Sequence, residues 1–321
     1  MGEASKQRSP ERRRALLLMG PTGTGKSDLA LRLASRLPFE IVSVDSAQVY
    51  RGMDIGTAKP DLDTRRAIAH HLIDIRDPAV NYSAGEFVRD ANQAMQDIWR
   101  RGRQPLLIGG TMLYFHALTL GLAELPEADA RVRAQIDAQA AAGGWATVHE
   151  ELARVDPAAA ARIHVNDPQR IQRALEVYRV TGQPITHLQQ SRTSAFAGVD
   201  VTEIAVAPLE RTVLHHRIES RFLAMLAAGL LDEVSALRAR NDLSAEHPSM
   251  RAVGYRQVWS YLAGQCGLEE AKERAIVATR QLAKRQLTWL RRRERLQWFD
   301  AMHPDVAANV MSALFRSGFA E

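Results

Sequence analysis

A chain of 321 residues that is 46% hydrophobic and 25% charged can bury one large core and a second unit, which excludes a disordered or fibrous protein. The formal charge of +5 and a pI near 9.6 favour a polyanionic partner, nucleic acid among the candidates. Cys266 stands alone, so no disulfide can form within the chain, and ten scattered histidines make no metal-ligand cluster; a reducing compartment fits and a zinc site does not.

Residues 1–14 are polar and basic, and the apolar run after them is too short for a signal segment or a membrane span, so a cytoplasmic protein without membrane contact is expected. Residues 14–19 predict a buried strand. Residues 28–37, with Leu29, Leu33 and Leu37 on one face, predict an amphipathic helix. Residues 40–44 predict a second strand and residues 105–108 a third. Between them, in residues 83–101, Phe87, Ala91, Ala94, Met95 and Ile98 recur at helical spacing. Strand, helix and strand in alternation imply a parallel sheet, with Asp45 and Thr111, each just past a strand end, on the edge where such sheets bind ligands.

After Gly121 the strand signal fades. Helices are predicted over 131–142, 145–154 and 167–181, the last capped by Asp167 before Pro168 and ended by Gly182. Residues 201–207 return to strand character. The organisation expected is an α/β core with a P-loop NTPase-like parallel sheet flanked by helices, built from residues 1–120 and 200–321, with an all-helical insertion over 121–199. The C-terminal third reads as helical and basic. A helix over 280–295 would place Arg280, Lys284, Arg291 and Arg295 on one stripe, facing an anion, and Leu282, Trp289 and Leu296 on the other, facing the core.

Between the first strand and the first helix lies Gly20-Pro21-Thr22-Gly23-Thr24-Gly25-Lys26-Ser27, a complete G-x-x-x-x-G-K-[ST] motif. Its glycines let backbone amides converge on an anion at a helix N-terminus, Lys26 supplies a point charge to a terminal phosphate such as that of ATP, and the Ser27 hydroxyl offers a Mg²⁺ ligand. The motif specifies phosphate without specifying the reaction. The strand end Leu107-Ile108-Gly109-Gly110 lacks the acidic residue that an ordinary NTPase puts on Mg²⁺. Asp45 is the carboxylate available there, either as a metal-shell residue or as the proton acceptor for an attacking nucleophile.

Five segments after the octet then coincide with one family. Residues 43–60 beginning Ser43-Val44-Asp45-Ser46-Ala47-Gln48, residues 109–114, residues 166–171, residues 251–257 and residues 279–286 resemble, in order and spacing, the signatures of tRNA dimethylallyltransferases. The resemblance spans residues 16–298. It implies a prenyltransferase that moves a dimethylallyl group from dimethylallyl diphosphate onto N6 of the adenosine 3′ to the anticodon, with the P-loop holding the diphosphate and Mg²⁺ on Ser27. It implies Asp45 as the base, Thr111 in the reaction channel, and Arg217 on the diphosphate, with Arg221 one turn on as the second candidate. It further implies tRNA contacts from Asp45, Ser46, Ala47, Gln48, Thr111 and Arg133, from Gln169, Arg170, Ile171, Gln172 and Arg173, and from Arg251, Ala252, Val253, Gly254, Tyr255 and Arg256. The helical insertion would grip the anticodon stem-loop.

Of these, Gln48 and Arg256 are candidates for base-edge contacts, and Tyr255 for a stacking platform or for plain core. The basic run adds Lys284, Arg285 and Arg291 as phosphate contacts. The chain lacks the Cys/His zinc-finger segment that some eukaryotic relatives append, which fits a bacterial-type enzyme acting as a monomer without an obligate protein partner. The competing readings are a small-molecule kinase using ATP and a nucleotide-sensing RNA-binding module.

Overall fold

The computed structural model describes residues 13–123, 125–190 and 194–319. The chain divides into two compact units, Met1–His116 with Phe196–Glu321, and Ala117–Ala195, close to the boundaries read from the sequence.

In the first unit the chain forms β1 (Arg14–Met19), α1 (Lys26–Ala34), β2 (Phe39–Val44), α2 (Leu62–Ala67), β3 (His70–His71), α3 (Ala84–Arg100) and β4 (Gln104–Gly109), and enters α4 (Met112–Leu120). The second unit holds α5 (Ala130–Val155), α6 (Pro157–Arg162), α7 (Pro168–Thr181) and α8 (Ile185–Leu188). The first unit then resumes with β5 (Asp200–Ala207), α9 (Arg211–Ala227), α10 (Leu230–Arg238), α11 (Tyr255–Leu262), α12 (Leu268–Leu290), β6 (Gln297–Asp300) and α13 (Val306–Arg316). One sheet of order β3-β2-β4-β1-β5-β6 results, and every pair in it is parallel.

The unbroken apolar run of β1 follows from its place at the centre of this sheet. Ala15 to Met19 are completely buried, because both faces of a parallel strand are covered. Leu16 and Leu18 pack with Leu29 and Leu33 of α1 and with Val310 and Leu314 of α13. α3 begins with a reciprocal cap: Ser83 Oγ accepts from the Glu86 amide at 3.2 Å and Glu86 Oε2 accepts from the Ser83 amide at 2.8 Å. Its buried residues are the five named from periodicity.

Three boundaries differ from expectation for physical reasons. α1 starts at Lys26 because the P-loop lysine and serine already form its first turn, and it ends before Leu37, which still packs in the core from the loop. The two helices read around residue 143 are one long α5 broken at Gly144, whose φ of 78° lies in the left-handed region. α12 stops at Leu290 instead of running to 295. Arg293 turns inward to an ion pair with Glu203 of β5, and the chain enters β6, so Arg291 is the helix cap and Arg295 lies beyond the helix. Arg280 is also withdrawn, into a 2.9 Å pair with Glu219 of α9. The stripe of four cations is therefore not formed as expected.

The second unit packs Val132, Ile136, Val148 and Leu152 of α5 against Ile171 and Leu175 of α7 and Ile185 of α8. At its centre the carboxylate of Glu176, fully buried, accepts from Arg133 Nε (2.8 Å) and Nη2 (3.1 Å), Arg173 Nη1 (2.7 Å) and the Asp129 amide (2.8 Å). Burial opposes its ionisation, but the hydrogen bonds from Arg133, Arg173 and the Asp129 amide together outweigh that and hold the carboxyl below its ordinary range. The Glu176→Ala variant should lose about 1–3 kcal/mol of stability, since four donors lose their acceptor while the arginines regain some water. Because the native carboxyl titrates below the unfolded one, the difference between wild type and variant should be full above the unfolded carboxyl pKa and vanish as pH falls through the native one. Urea melts at pH 7 and at acid pH check both statements.

Candidate active site

The site grows from three neighbouring strand ends. Register pairs Met19 of β1 with Gly109 of β4, and Val44 of β2 with Gly109, so the loops after β1, β2 and β4 emerge side by side. The P-loop follows β1. An added Cβ at Gly20 would stand 2.3 Å from the Val206 carbonyl of β5, so this position admits only glycine, and Gly23 and Gly25 both lie at φ 83°. Thr24 Oγ1 donates to the Pro21 carbonyl at 3.1 Å and Lys26 Nζ to the same oxygen at 2.6 Å, which sets the loop's curvature.

Asp45 leaves β2 in a tight turn. Its Oδ1 accepts from the Ala47 amide (2.8 Å) and the Gln48 amide (3.2 Å), which orients the carboxylate and leaves Oδ2 without a donor among the described residues. Thr111, past β4, accepts from the Ser46 amide at 3.1 Å through Oγ1, while its own amide donates to the Val44 carbonyl at 3.3 Å. Thr111 is thus hydrogen-bonded to both chain neighbours of Asp45, Val44 and Ser46.

A residue without a role in the sequence reading ties this edge together. Gln286 of α12, buried, accepts from the Thr22 amide at 3.0 Å and donates to the Gly110 carbonyl at 2.8 Å. Gly110 has no room for a side chain, since a Cβ would lie 2.4 Å from Gln286 Nε2. Glu233 of α10 does comparable work for the loop after β2: it accepts from the amides of Asp54 (2.9 Å), Ile55 (2.7 Å) and Gly56 (3.1 Å) and from the Tyr255 hydroxyl. Neither residue announces itself in sequence, because the backbone groups each one holds lie more than a hundred positions away.

These loops enclose a cavity of 510 Å³. Lys26, Ser27, Asp45, Thr111 and Arg221 are among its polar groups, with Gln48, Arg251 and Arg285 at the same cavity, and Ile218, Phe222, Met225, Leu282 and Trp289 form an apolar side. Burial is the main cause that pulls the Lys26 ammonium down to about 7; the Arg221 charge adds to it and Asp45 opposes it. Burial also lowers Arg221, with Asp45 again opposing. Two desolvated cations in one pocket call for an anion with several charges.

Comparison with known proteins agrees with this chemistry. A model of the family described as IPP transferase matches residues 48–293, and one described as isopentenyl transferase matches residues 13–75. A protein of Nitrosococcus oceani named tRNA dimethylallyltransferase is 58% identical over 291 residues, which cover 91% of each chain. The chain belongs to the IPP transferase family. The crystal structure of the tRNA isopentenylpyrophosphate transferase of Bacillus halodurans superposes with a TM-score of 0.69 at 37% identity over 96% of each chain. A eukaryotic dimethylallyltransferase, described as acting on tRNA, gives 0.81 at 26% identity over 96% of this chain and 79% of that one.

Within this IPP transferase fold the remaining candidates separate by what their side chains already hold. Arg217 lies outside the cavity lining, its Nε donating to the Gly23 carbonyl of the P-loop at 2.7 Å, whereas Arg221 lines the cavity itself. Gln48 accepts from Ser43 Oγ and donates to the Thr57 and Ala58 carbonyls, so its amide fastens a loop and is not free to read a base edge. Tyr255 has no exposed surface; its ring lies against Gly56 and its hydroxyl on Glu233, which makes it core and not a stacking platform.

Ile171 is likewise fully buried, which removes it as an RNA contact. Arg133 and Arg173 are engaged by Glu176, Arg170 by Asp167 and Gln172 by Asp137, while Gln169 is exposed. Ser46 is exposed, Ala47 half-buried, and both line the cavity, as do Arg251, Ala252, Val253 and Gly254. Arg256, Lys284, Arg285 and Arg291 are exposed. Among the described residues no helix is long and apolar enough to cross a membrane.

Two outcomes follow. Binding of a diphosphate anion in this cavity should take up close to one proton per site from Lys26 at pH 8 and almost none at pH 6, because the bound anion raises Lys26 from about 7, so that affinity falls as pH rises through that value. Calorimetry in buffers of different ionisation heat measures this uptake. Gln286→Met, which keeps the shape and removes both hydrogen bonds, should lower kcat/KM about tenfold while the protein stays folded, as steady-state kinetics with circular dichroism would show.

Proposed function

We propose that this protein transfers a dimethylallyl group from dimethylallyl diphosphate to N6 of adenosine 37, 3′ to the anticodon, in tRNA, releasing pyrophosphate. One observation carries the reading: an oriented carboxylate, Asp45, shares a single cavity with a P-loop lysine and an apolar wall. A kinase or a nucleotide sensor would have no use for a carboxylate oriented as a proton acceptor beside the apolar wall.

The diphosphate takes the P-loop amides, Lys26 and Arg221, and the five-carbon chain takes the wall of Ile218, Phe222 and Met225. The N6 lone pair attacks the allylic carbon as its bond to the bridging oxygen breaks; the electron pair leaves with pyrophosphate, and the N6 proton passes to Asp45. Lys26 and Arg221, both half-buried, neutralise the charge that develops on the leaving group with less reorganisation of water than exposed cations would need. Thr111, hydrogen-bonded to the turn after Asp45, keeps the base and the channel wall in register. No group of three or more His, Cys, Asp or Glu side chains capable of holding a metal occurs among the described residues. The donor set is a hydroxyl with a nearby carboxylate, which fits Mg²⁺ held by Ser27 and by the substrate's own phosphate oxygens. When bound there, the ion supplies further charge to the leaving diphosphate.

Every group in this scheme comes from one chain, so a monomer suffices, with tRNA as the macromolecular partner and the cytoplasm, where tRNA is used, as its place. Lys284 and Arg285 would touch the tRNA backbone, and the helical unit the anticodon stem. Incubation with dimethylallyl diphosphate, Mg²⁺ and unmodified tRNA should yield dimethylallyladenosine by mass spectrometry, with pyrophosphate release dependent on both substrates and ATP inactive as donor. Asp45→Ala should reduce turnover by roughly 10² or more with donor affinity little changed. RNA-independent phosphate release from ATP would overturn the reading in favour of a kinase.

A further inference from the structure

A buried cation outside the cavity lining holds the turn that carries Asp45. Lys59, whose side chain is 2% exposed, donates through Nζ to the Tyr50 carbonyl at 2.8 Å, to Asp54 Oδ1 at 2.5 Å and to Asp74 Oδ1 at 2.6 Å. An ammonium has three protons to donate and accepts none, so these partners satisfy it completely. Asp74 receives Arg65 on its other oxygen at 2.6 Å. Burial opposes the ionisation of Asp74, but the hydrogen bonds from Lys59 and Arg65 outweigh it and hold the carboxyl below its ordinary range, so Asp74 is ionised at neutral pH.

Two paths lead from that ammonium to the Gln48 amide, one of the two that Asp45 Oδ1 accepts. On the first, the Tyr50 carbonyl accepts from Lys59 while the Tyr50 amide donates to the Ala47 carbonyl at 3.2 Å. The Ala47 carbonyl and the Gln48 amide are opposite ends of one planar peptide, so holding the first orients the second. On the other path, the Asp74 carboxylate accepts from Lys59 while the Asp74 amide donates to the Gln48 carbonyl at 3.2 Å. Both peptides that flank Gln48 are therefore fixed. The Gln48 side chain closes the ring, donating to the carbonyls of Thr57 and Ala58 just before Lys59, each at 3.3 Å. Backbone strain marks the same place. Among the described residues, the non-glycine positions at positive φ are Ala58 (48°), Leu72 (64°) and Asp74 (59°), the first beside Lys59 in the chain and the last its ion-pair partner. Such conformations persist only where the surroundings over-determine them.

We propose that Lys59 is a positioning residue for the reaction: its ammonium holds the peptides on either side of Gln48 and so keeps the Asp45 carboxylate, part of the cavity wall, in one orientation. The proposal rests on the reading of Asp45 as the proton acceptor. Lys59 acts only through other residues, because its three protons are taken up by Tyr50, Asp54 and Asp74. A base works when it is within hydrogen-bond reach of the proton it removes, and a small rotation of its carboxylate loses rate without loosening the substrate. The effect therefore belongs to kcat. The groups assigned to the diphosphate, Lys26 and Arg221 among them, are not members of this ring. Arginine would not serve in place of Lys59, since a planar fork does not match three acceptors gathered about one nitrogen.

The test is a double-mutant cycle on kcat with dimethylallyl diphosphate and unmodified tRNA, accompanied by amide exchange followed by nuclear magnetic resonance. Lys59→Met, which keeps the length and removes the charge, should lower kcat about 10- to 100-fold while KM for dimethylallyl diphosphate stays within about twofold. In an Asp45→Ala background the same substitution should change kcat by less than about twofold, because residues that act as a unit are not additive. Asp74→Asn should show the same pattern with a smaller loss, and it carries the test if Lys59→Met does not fold. In either variant the Ala47 and Gln48 amides should exchange about tenfold faster or more, with the Thr22 amide, held by Gln286, unchanged. An equal loss of kcat in both Asp45 backgrounds would overturn the inference and leave Lys59 a stabiliser of the loop. A raised KM at constant kcat would overturn it in favour of donor binding, and unchanged exchange at Ala47 and Gln48 would remove the brace itself. Full turnover by Asp45→Ala alone would defeat the base assigned in the proposed function and not the brace, which amide exchange reads without any reaction.

Discussion

Two backbone groups from different strand ends, the amide of Thr22 and the carbonyl of Gly110, are held by one buried side chain, Gln286. The rest of the site depends on that bridge. It fixes the P-loop against the loop that carries Thr111, and so sets how far the P-loop lies from the turn after β2. It also fixes α12, whose Ala283 packs with Leu214 and Ile218 of α9 and whose Arg280 pairs with Glu219 there. A glutamine suits this position because it must accept at one end and donate at the other; a carboxylate would face the Gly110 oxygen with like charge. Leaving either group unpaired in the interior would cost about 1–3 kcal/mol, which ties the two loops to each other.

The electrostatics of the cavity oppose the stability of the free protein. Lys26 and Arg221 are both desolvated and repel each other, and Asp45 offsets only part of this. Such an arrangement is unfavourable until an anion enters, and the energy withheld in the free protein returns as affinity for a multiply charged ligand. The same burial keeps water from the cations, so their interaction with a developing charge is stronger than it would be at the surface.

Elsewhere the fold uses polar residues that a sequence reading assigns to ligands. Arg133 and Arg173 close over Glu176, Gln48 laces Ser43 to the carbonyls of Thr57 and Ala58, and the Tyr255 hydroxyl joins the Glu233 cluster. A buried hydrogen-bonding group finds a partner inside the protein whenever one is within reach, and each of these did. Arg217 is the instructive case. It lies one helical turn before Arg221 on the same face of α9, and that displacement of about 6 Å along the axis is enough to put its Nε on the Gly23 carbonyl while Arg221 lines the cavity.

The sequence by itself determined what depends on neighbours along the chain. The P-loop octet, the buried run of β1, the five core residues of α3 and the Asp167 cap of α7 are local patterns of spacing and turn chemistry, and local patterns survive without tertiary context. The family resemblance was likewise carried by short contiguous segments. Tertiary structure alone decided the rest: the two- and four-residue edge strands β3 and β6, too short to show a period, the end of α12 where Glu203 draws Arg293 inward, and the bridges made by Gln286 and Glu233. Each of these rests on a partner far away in sequence, and hydrogen bonds between distant residues leave no mark in the spacing of either one.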